Sequence, residues 1–372
     1  MKKRLIFFGI KTFPSQGGTD RVAENLIAQL QESFDITLYC FKDRAARTHV
    51  PGIKVIEMPR MGTGSVGSFV YFLFSTLHIL LTQRADLIHA HKTDCAFFIP
   101  LLRLRFPVVA TSHEAPYKRD KWNAFEKFYF RLAERLFIHS STLCTCISEP
   151  LTKYYIERYG RKVIFIPNGI NPITEASFDF DGVHRFLSNG ASLDRPYVLF
   201  SARRIMKTKG CHTMLEALAS IRYTGQVLIA GELTHNLDYV EQLKRAGQSL
   251  DVHFLGFVHP LPVLLALVSQ ADFFIFPSET EGMSIMLLEV ASAGRPIIAS
   301  DIPENRQVFT ENEVLFFRVG NAQDLANKIH MALNERNTIE ALAVTCREKV
   351  YTDYVWNKIA LRYADVYRTV IG

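Results

Sequence analysis

Short apolar, β-rich runs alternate with helix-periodic stretches along the whole 372-residue chain. In the first half the runs fall at 4–8, 36–41, 54–57, 86–90, 108–112, 143–147 and 163–166. Helix-periodic stretches such as 20–31 and 121–139 lie between several of them. The second half restarts after a polar, glycine-containing segment at 179–195, with runs at 197–201, 227–230, 252–255, 273–276, 297–299 and 315–317. Continuous apolar strands separated by helices predict parallel sheets covered on both faces. The chain therefore reads as two doubly wound α/β domains with a linker near 172–195. Ligands of such sheets sit at the carboxyl ends of the strands, where loops run into helices, and the candidate chemistry is sought there.

Composition narrows the class without changing that picture. At 48% hydrophobic and 22% charged residues the chain has material for two cores, which excludes wholesale disorder and a coiled coil. The net charge of +6 is unevenly placed: residues 1–172 carry 24 Lys+Arg against 14 Asp+Glu, and the remainder carries 19 against 23. The basic charge thus belongs to the first half. Six scattered cysteines without a C-x-x-C pair read as reduced core thiols of a cytoplasmic protein. Met-Lys-Lys-Arg followed by residues 5–10 imitates the start of a signal peptide, but the apolar run is too short and a glycine turn follows it. The apolar stretch 66–81, interrupted by Ser68, Ser75 and His78, is short of a membrane span and is expected to be a buried or interfacial helix.

Two loops of the second half carry the strongest chemistry. The run Phe276-Pro-Ser-Glu-Thr-Glu-Gly-Met-Ser-Ile-Met-Leu-Leu-Glu289 reads as a strand end, a polar loop and a helix beginning near 283–284. Gly282 lets a ligand approach the backbone. The N–H groups of Met283, Ser284 and Ile285 form an anion site suited to a diphosphate. Glu281 stands just before that helix and Glu289 just inside it, so one carboxylate can reach beyond the phosphates and the other can accept from a ribose. Upstream, Ser201-Ala-Arg-Arg-Ile-Met-Lys-Thr-Lys-Gly210 is again a strand end running into a helix. Its Arg204 and Lys209 are either ordinary solvated loop cations or a pair that converges on one anion and would stabilise a leaving diphosphate.

In this arrangement the second half resembles the donor domain of glycosyltransferase family 4, whose fold is GT-B. Arg204 and Lys209-Gly210 match the family's Arg…Lys-Gly pair. Ala230-Gly231-Glu232 and Leu255-Gly256-Phe257-Val258 match its strand-end glycine motifs. Glu281 and Glu289 match its E-x7-E signature, followed by Ala293-Gly294-Arg295-Pro296. The resemblance implies two Rossmann-like α/β domains facing a cleft: an acceptor-binding domain at 1–178, a donor-binding domain at 190–353 and a last helix at 354–372, carrying Trp356 and Tyr363–Tyr367, that packs back on the first domain. It implies a nucleotide-sugar donor, with the base (UDP, GDP, ADP or dTDP) unspecified, and retention of anomeric configuration. Arg204 and Lys209 would hold the diphosphate, Glu289 the ribose, Glu281 the donor sugar and the backbone near Val258 the base, with Gly231 also among the donor-binding residues. No metal is required. His89-Ala-His91 is the only candidate pair and reads as packing or a substrate contact.

The first half is marked more weakly. Gly17-Gly18-Thr19-Asp20-Arg21 follows the first strand and resembles the family's glycine-rich turn beside the donor phosphates and the acceptor. The plainer alternative is a βα turn in which Asp20 caps the helix. Thr111-Ser-His-Glu114 ends another strand, and His113 matches a family position facing the reacting sugar. Pro167-Asn-Gly-Ile170 matches the family's turn before the interdomain linker. Tyr117-Lys-Arg-Asp-Lys-Trp122 resembles stretches of bacterial polysaccharide glycosyltransferases similar to rhamnosyltransferases. With the mixed run Leu101-Leu-Arg-Leu-Arg-Phe106 it suggests a glycan or lipid-linked acceptor for lipopolysaccharide or capsule, and contact with the anionic inner face of the cell membrane. No nucleic-acid recognition motif accompanies the basic half.

The resulting expectation is a cytoplasmic hexosyltransferase acting in cell-surface polysaccharide synthesis, peripheral to the membrane. Two other readings share the sequence. A nucleotide-sugar 2-epimerase has the same fold, although E-x7-E with Arg…Lys-Gly favours transfer. A non-catalytic scaffold of a polysaccharide-assembly complex would not need every donor-site feature. A Rossmann dehydrogenase is disfavoured, because the first turn lacks G-x-G-x-x-G.

Overall fold

The computed structural model describes residues 2–15, 17–42, 52–59, 61–62, 64–115, 124–187 and 190–372. The motif at 117–122 lies outside the described residues. The chain divides into two compact units, Met1–Gly169 with Trp356–Gly372, and Ile170–Val355.

The first unit is built on β1 (Lys3–Phe8), β2 (Phe34–Phe41), β3 (Ile53–Met58), β4 (Leu87–His91), β5 (Val108–Ser112), β6 (Leu143–Cys146) and β7 (Val163–Phe165). They form one seven-stranded sheet in the order β3-β2-β1-β4-β5-β6-β7. Every pairing is parallel, for example Leu5 opposite Ile36 on one side and Leu87 on the other. β4 and β5 are buried at every position, as strands covered on both faces must be. The helix Gly18–Leu30 turns Val22, Ala23, Leu26, Ile27 and Leu30 inward, the spacing of one helical face.

The C-terminal helix Trp356–Ile371 belongs to this unit. Trp356, Ile359, Ala360, Tyr363 and Tyr367 form its buried stripe. Trp356 lies against Gly169, and the Tyr367 ring meets Phe34 edge-on with centroids 5.8 Å apart.

The second unit contains β8 (Tyr197–Arg204), β9 (Gln226–Glu232), β10 (Asp251–Gly256), β11 (Phe273–Phe276), β12 (Ile297–Ser300) and β13 (Leu315–Phe317). Its sheet runs β10-β9-β8-β11-β12-β13, again all parallel. The segment read from sequence as a linker folds within this unit. There Asp179 caps the short helix Phe180–Val183 through the Gly182 N–H at 2.8 Å, and the Asp179 N–H donates to Pro262 O at 3.1 Å.

In each sheet the strand order reverses once, between β1 and β4 and between β8 and β11. At such a switch point the loops leave in opposite directions and open a crevice at the carboxyl edge. Of the sequence-derived candidates, Gly17 and Gly18 follow β1 at the first place, and Arg204, Lys209 and Glu281 stand at or beyond the ends of β8 and β11 at the second; His113, Gly231 and Val258 stand at the ends of β5, β9 and β10. All six cysteines are buried free thiols. The stretch around 66–81 forms the helix Gly64–Thr82, and among the described residues no helix is long and apolar enough to cross a membrane.

Candidate active site

At the second switch point two loops are locked together. β8 continues to Arg204 through a register shift after Ser201, which sets Arg204 opposite Glu232 of β9. A single 3-10 turn, Lys207–Lys209, then leads into Gly210. Gly210 has φ +69, and a Cβ there would lie 2.0 Å from Pro277 O, so only glycine fits between this loop and the end of β11. The Glu279 N–H donates to Thr208 O at 2.9 Å, and the Lys209 ammonium donates to Glu281 Oε1 at 2.6 Å. From the other side, the Ser300 hydroxyl at the end of β12 donates to Ser278 O at 2.5 Å and receives a hydrogen bond from Asn305 at 3.2 Å.

Lys209 and Glu281 are therefore brought together, as partners. Both are sheltered, with side chains 27% and 11% exposed. Arg204 takes a different partner, with its Nε 3.5 Å from Glu232 Oε2 in a half-exposed position. In the sequence Glu232 stands out only as part of a glycine motif. Its carboxylate reaches Arg204 because the two strands are neighbours.

The following helix is Ile285–Ser292, and Ser284 is its N-cap, accepting the Leu287 N–H at 3.3 Å. The helix thus starts one to two residues later than its expected beginning, because a serine at this position satisfies a first-turn donor with its own side chain. Met283 is buried and Gly282 is half-buried. Glu289 lies on the second turn of the helix and is only 5% exposed. Gly231 has a packing reason of its own: a Cβ would lie 2.4 Å from Ala202 O. Val258 is buried after β10, beside the exposed Phe257, whose ring stacks on His259 at 5.9 Å.

At the first switch point Gly17 is the N-cap of Gly18–Leu30, and a Cβ on Gly18 would meet nothing within 4 Å. Asp20 is not the cap that the plainer alternative supposed. It lies in the first turn and reaches back to the loop after β1, accepting from the Thr12 hydroxyl at 2.8 Å, the Thr12 N–H at 3.2 Å and the Lys11 N–H at 3.4 Å. It also pairs with the Lys92 ammonium at 2.7 Å. Burial pushes the Asp20 carboxyl up, but the Lys92 charge and these hydrogen bonds outweigh burial and hold it below its ordinary value. Lys92 itself sits at φ +72 just beyond β4.

Beside this pair are three buried histidines. His89 bonds to Tyr367 OH at 2.7 Å and to Thr111 Oγ1 at 2.6 Å. His91 Nδ1 lies 3.2 Å from His113 Nε2. Burial drives all three below the ordinary histidine value; for His113, burial and then the Lys92 charge push it down to about 3. His113 is thus a neutral imidazole near pH 7, equipped for hydrogen bonding rather than as a cationic acid. Among the described residues no group of three or more His, Cys, Asp or Glu side chains is placed to hold a metal ion.

Residues 16–173 match the family model described as Glycosyltransferase Family 4, and residues 186–349 match that of Glycosyl transferases group 1. The chain is a family 4-like glycosyltransferase. This glycosyltransferase is 26% identical over 310 residues to an uncharacterised glycosyltransferase of Methanocaldococcus jannaschii, covering 78% of this chain and 77% of that one. It is 27% identical over 302 residues to phosphatidyl-myo-inositol mannosyltransferase of Mycobacterium tuberculosis, covering 77% and 74%. Its fold matches sucrose-phosphate synthase from Thermosynechococcus elongatus with TM-score 0.83 at 21% identity, over 99% of both chains. Anabaena HepE in complex with UDP-glucose matches with TM-score 0.78 at 17% identity, over 99% and 100%. These likenesses establish the GT-B fold of the glycosyltransferase, with its two Rossmann-like parallel-sheet units.

Proposed function

We propose that this glycosyltransferase moves a sugar, with retention of configuration, from a nucleotide diphosphate sugar to a glycan or lipid-linked acceptor in cell-surface polysaccharide synthesis. The observation that carries the reading is the Lys209–Glu281 pair, built by two interlocked loops at the β8/β11 switch point. A diphosphate arriving there takes Lys209 and Arg204 as cations and the backbone N–H groups of Met283, Ser284 and Ile285, which lead into the helix Ile285–Ser292. Its negative charge offers Lys209 a second partner and leaves Glu281 available to accept from sugar hydroxyls. Glu289 accepts from the ribose, and the backbone around Gly231 and Val258 receives the base. The solved HepE complex with UDP-glucose supports a donor of this class.

As the sugar–phosphate bond breaks, charge develops on the diphosphate, and Lys209 and Arg204 stabilise it more than they stabilise the ground state. The leaving diphosphate helps to deprotonate the acceptor hydroxyl on the same face, so Glu281 positions the sugar and is not a nucleophile. On the first unit, the Gly17-Gly18 turn and neutral His113 are the groups proposed to contact the substrate.

Phosphatidyl-myo-inositol mannosyltransferase, a relative, acts by its name on a lipid. A lipid-linked acceptor also suits one surface of the first unit. The helix Ile99–Arg103 contacts both Gly64–Thr82 and Ala124–Ser140, and these helices carry the exposed apolar residues Leu77, Leu81, Phe128 and Leu132 and the exposed arginines Arg103, Arg131 and Arg135. Exposed apolar side chains and arginines on neighbouring helices suit an anionic lipid surface.

A thermal-shift panel of UDP-, GDP-, ADP- and dTDP-sugars tests the donor assignment. One nucleotide series is expected to raise the melting temperature, because a ligand bound only by the native state stabilises it. A flat panel contradicts the reading.

A further inference from the structure

His113 matters in the reading above through one ring edge, and the structure indicates which edge that is. Its Nε2 is engaged by His91 Nδ1 at 3.2 Å, and the two rings are stacked with centroids 5.4 Å apart. Among the described residues its Nδ1 has no partner, and the residue keeps 8% of its surface exposed. His91 is fully buried, packed between the His89 ring at 4.0 Å and the Phe7 ring at 5.6 Å. Its own Nε2 is buried without a hydrogen-bond partner.

Two neutral imidazoles share a hydrogen bond in only two ways. If His113 donated from Nε2, His91 would carry its proton on Nε2, leaving a buried N–H with no acceptor. If His91 donates from Nδ1, its Nε2 is a bare lone pair, and an under-satisfied acceptor is the commoner and milder defect. The second arrangement places the His113 proton on Nδ1, since the bond made by one ring nitrogen sets the tautomer at the other.

We propose that His91 is a positioning residue that donates from Nδ1 to His113 Nε2, holding His113 in its Nδ1–H tautomer so that it presents an N–H donor to an oxygen of the substrate. This rests on the reading that His113 contacts the reacting sugar. His89 serves the arrangement from behind: with both nitrogens committed to Tyr367 and Thr111, it fixes the ring on which His91 packs. The C-terminal helix, which supplies Tyr367, is thereby connected to the orientation of His113.

The test combines a spectroscopic and a kinetic readout on the full chain. Two-bond 1H–15N spectra distinguish the His113 tautomers directly, and the wild-type protein is expected to show Nδ1–H. His91→Phe keeps a buried aromatic ring but removes the donor; His113 is then expected to drift toward the Nε2–H form. Release of nucleoside diphosphate from the stabilising nucleotide sugar should fall at least about tenfold in kcat, with donor KM little changed. His91→Asn places an amide N–H near the former Nδ1 and should restore both the tautomer and most of kcat. An Nε2–H signal for His113 in the wild-type protein overturns the proposal whatever the variants do. So does an unchanged kcat in His91→Phe when His113→Ala costs about 10²-fold. If His113→Ala itself is harmless, the contact between His113 and the sugar fails, while the tautomer assignment still stands or falls by the spectrum.

Discussion

The Lys209 ammonium and the Glu281 carboxylate, 72 residues apart in the chain, meet at 2.6 Å at the carboxyl edge of the second sheet. Gly210 seats the first loop on Pro277, and Glu279 ties the second loop back to Thr208. Two charges of opposite sign are thus held together at the proposed donor site.

Removing either charge is expected to cost turnover. Lys209→Ala and Glu281→Ala should each lower kcat by about 10²-fold or more if both groups act on the transition state. Because the side chains touch, the double variant should lose less than the product of the single losses. Steady-state release of nucleoside diphosphate measures this, and near wild-type rates in both single variants contradict the assignment.

The glycine that joins the loops should be irreplaceable. Gly210→Ala imposes a side chain at φ +69 and a contact 2.0 Å from Pro277 O. The left-handed backbone alone costs about 1–2 kcal/mol, and relieving the contact adds to that. A denaturant midpoint equal to that of the wild-type protein would refute the packing argument.

The buried histidines give stability an acid limb that starts above the carboxylate range. An unfolded histidine binds a proton near 6.5, whereas folded His113 binds one only near about 3, and His89 and His91 are also held well below 6.5. Between those values the unfolded chain carries more protons, so stability falls as the pH falls. The slope is up to about 1.4 kcal/mol per pH unit for each histidine. Urea midpoints should therefore drop between pH 7 and pH 5, and an equal midpoint at both would show that these groups titrate normally.

Contact with a membrane surface should depend on salt and on lipid charge. Anionic vesicles are expected to sediment the protein at low ionic strength and release it as screening increases. Arg103→Glu combined with Arg131→Glu should weaken that binding while leaving donor binding intact. Equal recovery with neutral and anionic vesicles contradicts an electrostatic contact.

The strands were legible because buried parallel strands are written as uninterrupted apolar runs. Phe273–Phe276, all buried, is the plainest case. β8 was read as ending at 201 because its last residues are charged. It reaches Arg204 because the register shift lets it keep pairing with β9. That Lys209, Glu281 and His113 lie just beyond strand ends was likewise readable from the sequence.

The partnerships were not legible. Asp20 was read as a possible helix cap from its place near Gly17-Gly18, and its pairing with Lys92 depends on β1 and β4 being neighbours. The His91–His113 bond likewise depends on β4 lying beside β5. Such contacts are set by sheet order, which no local pattern encodes.

Titration calorimetry of the nucleoside diphosphate selected by the thermal-shift panel, into the wild-type protein and Lys209→Ala, tests the central claim most directly. Charge-assisted contacts are worth about 1.5–3 kcal/mol, so the variant is expected to bind at least about tenfold more weakly. Equal affinity for both proteins would place the donor site elsewhere and contradict the account.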